Sequence, residues 1–376
     1  MYYLTFVRTT DTTETAQLTF EDLFNADGTL KTIEALPYAE RVSERAYHTI
    51  KTPILMPRYE EHIARRASCV EQAFAARIAE YRGKDMHEFY ETFSIPKHSG
   101  GFRTINAPKE DLKRLQREIK DCLEGSGVHS HTAAYAYVKY RTAKDAVVRH
   151  QKTGHTCYLK LDFHDFFGSC DVETITKSLR VIPLFTMLSE EFMADLLHVA
   201  MLDGGLPQGT PLSPWLTNQI MLPYDHEISN ECARRSITYT RYADDMLISA
   251  DNKTALHAAI NIVKDAIRGT NLTLNETKTK IATIYGKNWN LGLMTNKDNE
   301  VTVGWRNKER ARATIHNFMA DPNAVTPQQA SEILGKLQYY RQIEPEYFDA
   351  LFRKYSEKTG RNVRETIIKR IKGLQI

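Results

Sequence analysis

The sequence predicts an α+β fold. Three observations predict it: apolar residues recur at helical spacing toward both ends of the chain, short alternating runs concentrate in the middle, and turns bearing Gly, Pro and Asn separate those runs. The 376 residues are 42% hydrophobic and 26% charged, which excludes disorder as the main state and leaves enough chain for two or three packed units. No repeat, low-complexity tract or linker marks a clean boundary, so the units read as interleaved parts of one machine.

Taken in order, residues 1–88 read as a largely helical N-terminal extension, with "YEEHIARRASCVEQAFAARIAEY" carrying the helical spacing. "FSIPKHSGGFRTINAPK", Phe93 to Lys109, sets two alternating runs around Gly100-Gly101 and predicts a hairpin. A basic amphipathic helix follows, with Leu112, Leu115, Ile119 and Leu123 as its apolar stripe. "TCYLKLDFHDFFGS" begins as a strand with Tyr158, Lys160 and Asp162 on one face and Leu159, Leu161 and Phe163 on the other, which predicts one core face and one site face. A helix from about Ser189 ends at Gly204-Gly205, and "GLPQGTPLSPWLTNQI" leads from a loop into another helix. "ITYTRYADDMLISA" predicts two short strands joined across an acid pair. Then come an amphipathic helix, Lys253 to Arg268, the strand pieces "LTLNETKTKI" and "EVTVGWRNK", and a helical tail.

The formal charge of +3 is too small to identify a partner, but its distribution is uneven. Asp11 to Glu40 is acidic, and the tail from Arg353 to Lys372 is basic enough to lie along phosphates or to form a plain solvated helix face. Five scattered cysteines without a C-x-x-C spacing exclude a zinc or dithiol motif and read as buried thiols of a reducing compartment. With no apolar run of about 18 residues, the chain reads as cytoplasmic, without a membrane span.

The chemistry centres on Asp244 and Asp245. Adjacent residues of a strand point to opposite faces, so these acids can serve one site only where a tight turn breaks the alternation. Asp162, on a strand whose other face is apolar, supplies a third acid. Three convergent carboxylates repel one another unless cations neutralise them, and oxygen donors of this kind suit magnesium or manganese. Two such ions about 4 Å apart activate an attacking hydroxyl and stabilise the leaving group of an in-line phosphoryl transfer.

In order along the chain stand "IPKHSGGFRTINAP", "LKRLQREI", "AYAYVKYRTAKDAV", "YLKLDFHDFFGS", "GLPQGTPLSP", "YADD", "LNETKTKI" and "LGLMTNKDNEVTVGWRNK". In this series the chain resembles the prokaryotic reverse transcriptases, the group that includes retron, group II intron and phage-defence enzymes. The resemblance implies a right-hand polymerase fold. Residues 89–290 would form fingers and a palm whose antiparallel sheet packs on helices, and residues 291–376 a basic, mostly helical thumb. It implies RNA-directed DNA synthesis from dNTPs on a structured noncoding RNA, in antiphage defence or a related retroelement. A DNA product and two Mg2+ ions, or Mn2+, are implied, with a homo-oligomer or accessory protein as further partners.

Residue by residue, the resemblance implies that Asp162 and Asp244 bind the metals, with Asp245 beside them and the Phe163 carbonyl as a further ligand. Phe167 would meet the sugar 2′ carbon and exclude ribonucleotides, whereas Phe166 is core. Gln208 would lie against the incoming nucleotide, held by a loop whose glycines permit close approach. Lys97 and Arg103 would fold onto the triphosphate, Lys278 or its competitor Lys280 would protonate pyrophosphate, and Arg141 would touch template or nucleotide or simply be solvated. Two elements depart from retron enzymes: "TAKDAVVRH" stands where they show Asn-Ala-x-x-His, and "NLGLMTNKDN" where they show Val-Thr-Gly. The tail looks more like stand-alone defence-associated enzymes. Two rival readings remain: an RNA-dependent RNA polymerase, and a noncatalytic RNA-binding scaffold with the same fold.

Overall fold

The structure is a computed structural model. It describes residues 57–96, 100–286 and 289–375, together with a two-residue strand pair, Thr5–Phe6 with Tyr47–His48. The acidic stretch and most of the helical extension expected before residue 57 lie outside the described residues.

Helix α1, Pro57–Ala79, leads through a short 3-10 turn into the antiparallel hairpin of β1, Tyr90–Pro96, and β2, Phe102–Pro108. Helix α2, Glu110–Gly125, buries the expected stripe of Leu112, Leu115, Ile119 and Leu123. After α3, Ala143–Gln151, the chain enters β3, Cys157–Asp162. Three helices follow, α4 (Val172–Leu179), α5 (Pro183–Met187) and α6 (Glu190–Ala200), the last capped by the Ser189 hydroxyl on the Phe192 N–H. Helix α7, Ser213–Ala233, is buried on most sides. The hairpin of β4, Thr238–Tyr242, and β5, Asp245–Ala250, precedes α8, Lys253–Ala266, and β6, Lys280–Thr283.

These strands form one antiparallel sheet in the order β4-β5-β3-β6. The order is not sequential because β3 sits between the hairpin and β6, which places the end of β3 beside the hairpin turn. A second small sheet joins β7 (Trp289–Asn290), β8 (Leu293–Thr295) and β9 (Val301–Thr302). Helices α9 (Trp305–Ala320), α10 (Pro327–Ile343), α11 (Pro345–Thr359) and α12 (Val363–Ile371) complete the chain. The strand expected through "EVTVGWRNK" stops at Thr302, since Gly304 at φ +79° turns the chain into α9.

Each face of the central sheet meets its own core. Leu159, Leu161, Met246 and Ile248 pack into a cluster with α2, α6, α7 and α8, while Tyr158 and Leu247 join Val147 and the C-terminal helices. Each fully buried side chain of this size contributes about 2 kcal/mol by leaving water. The expectation of one core face and one site face therefore needs correction: on the expected site face Tyr158 is 1% exposed, Lys160 is half-buried and Asp162 is buried. The cysteines also divide. Cys157, Cys170 and Cys232 are buried, Cys122 is partly so and Cys69 is exposed, because the outer faces of α1 and α2 carry the last two. Among the described residues, no helix is long and apolar enough to cross a membrane.

Candidate active site

Sheet register places the acids. Asp162 ends β3, and its partner across the antiparallel pair is Asp245, the first residue of β5. Directly opposed residues send their side chains to the same face. Tyr242 pairs with Asp245, so only Ala243 and Asp244 form the turn between β4 and β5. Ala243 takes φ +58°, a backbone region costly for a residue with a Cβ but demanded at the first position of a two-residue hairpin turn. The turn breaks the alternation, and Asp244 lies within reach of the Asp162 charge.

A buried cation holds that turn. Arg241 and Asp225 each have wholly buried side chains and bond at 2.6 Å. The same guanidinium donates to the Ala243 carbonyl at 3.0 Å and to Asn218 Oδ1 at 3.1 Å, and the Tyr239 hydroxyl donates to Asp225 at 2.7 Å. Every group of this cluster is paired, which is the condition for charge to be kept in a core. Sequence reasoning missed both residues. The available signal was an arginine on a strand otherwise made of core-forming residues.

The acids feel one another. Burial first, and then the Asp162 carboxylate, push Asp244 above the usual carboxylate range, with Lys278 and Arg103 opposing. Burial likewise raises Asp245, opposed mainly by Lys160. Lys278 supplies the local counter-charge. The Thr273–Asn275 segment runs antiparallel to the end of β3, with His164 N–H on the Thr273 carbonyl and Asn275 N–H on the Asp162 carbonyl, both at 2.8 Å. The 3-10 turn Glu276–Lys278 then sets the ammonium 2.9 and 3.0 Å from the two oxygens of Asp162. That bond raises the Lys278 pKa. Lys280, its competitor, opens β6 opposite Lys160 and is exposed.

The loops expected to receive a nucleotide are bonded to one another. Phe167 is partly buried against the first core, in edge contact with Phe166, which stacks on Phe163. Its carbonyl accepts the Leu206 N–H at 2.9 Å, so the Phe167 segment and the "LPQG" loop are tied together. Gly205 must be glycine there, since a Cβ would lie 2.7 Å from the Gly168 carbonyl. Gln208 is half-buried, and its carbonyl accepts the Asn106 N–H of β2 at 2.8 Å. Arg103, on β2 opposite Ile95, is exposed and close enough for its charge to bear on Asp244. Lys97 lies outside the described residues. Arg141 is no free surface cation, since its guanidinium donates to the carbonyls of His131, Thr132 and Ala134 at 3.2, 3.0 and 2.7 Å.

Among the described residues, no group of three His, Cys, Asp or Glu side chains is placed to hold a metal ion. The three acids therefore do not form a closed cage. The donors present nevertheless suit a hard cation. They are all oxygen, the Asp162 charge helps raise the pKa of both Asp244 and Asp245, the Phe163 carbonyl accepts no hydrogen bond among the described residues, and Lys278 already stands on Asp162 as a cation. Mg2+ is commonly held by one or two carboxylates completed by substrate phosphates, not by a dedicated all-protein cage.

Comparison with known proteins matches residues 95–333 to the family described as reverse transcriptase (RNA-dependent DNA polymerase). The retron Mx65 reverse transcriptase of Myxococcus xanthus is 29% identical over 290 residues, 73% of this chain and 66% of that protein, so the chain spans just under two thirds of that relative. The retron Ec83 reverse transcriptase of Escherichia coli is 27% identical over 285 residues, 73% of this chain and 90% of that protein. Both are retron enzymes, despite the two motif departures and the likeness of the tail to stand-alone defence enzymes. A telomerase from Candida albicans, solved with a fragment of telomeric RNA, aligns with a TM-score of 0.45 at 13% identity, over 80% of this chain and 65% of that one.

Proposed function

The chain belongs to the reverse transcriptase family, the RNA-dependent DNA polymerases, and we propose that it copies a structured noncoding RNA into DNA by nucleotidyl transfer at the Asp162, Asp244 and Asp245 pole of its central sheet. The observation that carries this reading is the pairing of Asp162 with Asp245 beside the Asp244 turn, with Lys278 on the same carboxylate.

In this reading Asp162 and Asp244, with the Phe163 carbonyl, would hold Mg2+ or Mn2+, and Asp245 sits beside them. Bound there, the metal would supply Lewis-acid stabilisation of the charge that develops on the transferring phosphoryl group. A metal held there would compete with Lys278 for the Asp162 carboxylate. The ammonium set free from Asp162 would stay protonated at neutral pH, as lysine ordinarily is, and could donate to the pyrophosphate oxygen as the α–β bond breaks. Arg103, with Lys97 from the same hairpin, binds the triphosphate. Gln208 lies against the nucleotide, and the Phe167 ring excludes a 2′ hydroxyl. Residues 89–290 would act as fingers and palm, residues 291–376 as a basic thumb that grips the RNA backbone. A role in antiphage defence or a related retroelement fits the retron relatives.

Primer extension on an RNA template with dNTPs and with rNTPs, each with Mg2+, tests the reading. Extension with dNTPs alone is expected. A clear rNTP preference would make the chain an RNA polymerase, and RNA binding without extension would make it a scaffold.

A further inference from the structure

The loop from Ala134 to Arg141 takes no part in the roles above, yet it is built against the acid turn. Ala134 forms a parallel bridge with Arg241. The Arg241 N–H donates to the Ala133 carbonyl at 2.7 Å, and the Tyr135 N–H donates to the Arg241 carbonyl at 2.8 Å. Asn218 links the loop to the turn: its Oδ1 accepts from the Arg241 guanidinium that also holds the Ala243 carbonyl, and its Nδ2 reaches the Ala136 carbonyl next to Tyr137.

Tyr137 has φ +59° and Tyr140 φ +63°. A bulky residue in this region is an outlier, and such strain persists only where the surroundings over-determine it. They do so here. Asn218 Nδ2 donates to the Ala136 carbonyl at 2.8 Å, and Arg141 at the other end reaches back to the Ala134 carbonyl and to those of His131 and Thr132 just before the loop. The result is an aromatic side chain 48% exposed at the mouth of the site, and not one tucked into a core. The charges of Asp244 and Arg103 both bear on its hydroxyl, which places the phenol end near them. A half-open ring held on a rigid loop is what base stacking requires, because any base offers a π face to it.

We propose that Tyr137 is a strand-contacting residue whose ring packs on the terminal base pair of a bound RNA–DNA hybrid beside Asp244, and that the strained loop serves to hold it there. The proposal rests on the polymerase reading. It is tested with Tyr137→Gly and Tyr137→Phe in the full chain, using fluorescence anisotropy with a short RNA–DNA hybrid bearing an RNA overhang, thermal unfolding, and primer extension.

Glycine tolerates a positive φ, so Tyr137→Gly is expected to unfold at an unchanged or higher temperature while binding the hybrid roughly 10-fold more weakly. Tyr137→Phe keeps the ring and is expected to bind within about twofold of the wild type. The proposal is overturned if the glycine variant binds the hybrid as the wild type does. It is equally overturned if the phenylalanine variant binds as weakly as the glycine one, or if weakened binding comes only with a lower unfolding temperature. A wild type that binds the hybrid but extends no primer sinks the polymerase reading and leaves this contact to the binding arm. A wild type that extends, with both variants matching it, sinks the contact alone.

Discussion

Arg241–Asp225 and Lys278–Asp162 are both carboxylate–cation pairs at one end of the same sheet, with contacts of 2.6 and 2.9 Å. Both side chains of the first are wholly buried, and its spare hydrogen-bonding capacity goes to Asn218, Tyr239 and the Ala243 carbonyl. In the second, Asp162 is buried but Lys278 is 59% exposed. Bond length does not separate them. Solvent access does: a cation that must be desolvated to arrive or leave is locked, whereas one with its stem in water can be exchanged. The locked pair fixes the turn, and the exchangeable pair keeps the carboxylate ready for another cation.

That contrast is broken most sharply by removing the acids at the open end. Asp162→Asn or Asp244→Asn is expected to cut primer extension by more than about 1000-fold, since each carboxylate would hold the metal that stabilises the charge on the transferring phosphoryl group. Steady-state extension assays check this, and an Asn variant retaining a tenth of wild-type activity would place the chemistry elsewhere. In the locked pair, Asp225→Ala strands a buried guanidinium and is expected to cost about 3–5 kcal/mol in denaturant unfolding. Magnesium should not restore that loss.

Lys278→Ala should behave differently. Extension falls by roughly 100-fold through loss of the proton donor. Whatever stability is lost by leaving Asp162 unpaired should return on adding Mg2+, because a bound cation stabilises the folded state by mass action. Thermal scans with and without MgCl2 compare the two variants, and the same response from both would erase the distinction between locked and exchangeable.

The smallest effect concerns pH. Asp244 is raised in the folded state, mainly by burial and then by Asp162, so folding favours its protonated form. The resulting penalty is absent below the unfolded carboxylate pKa of about 3.9 and complete once the pH exceeds the raised folded value. Asp244→Asn removes it and is expected to stabilise the metal-free protein at neutral pH by less than about 1 kcal/mol. Unfolding curves across acid pH should show that gain shrinking toward pH 4.

Much of the site was legible because it is local. A hairpin at "YADD" follows from two short strands with no room for a longer turn, and the α2 stripe follows from helical spacing. Other features depend on partners far along the chain. Cys69 is as apolar as Cys170, yet one is exposed and the other buried. Tyr158 alternates onto the same face as Asp162, but packing of the C-terminal helices turns that face into a second core. Arg141 resembled a surface cation until three carbonyls of a folded loop closed on it.

By itself the sequence determined the family, the order of the motifs and which acids are the candidates, because residue types and short spacings survive without knowledge of what packs where. Tertiary structure alone decided that Lys278 and not Lys280 reaches Asp162, that Arg241 is wholly buried, and that the loop carrying Tyr137 is tied to Arg241 next to the acid turn. Each of those is set by contacts between segments tens of residues apart, where burial and register, not local composition, determine which charge is paired and which side chain is left open.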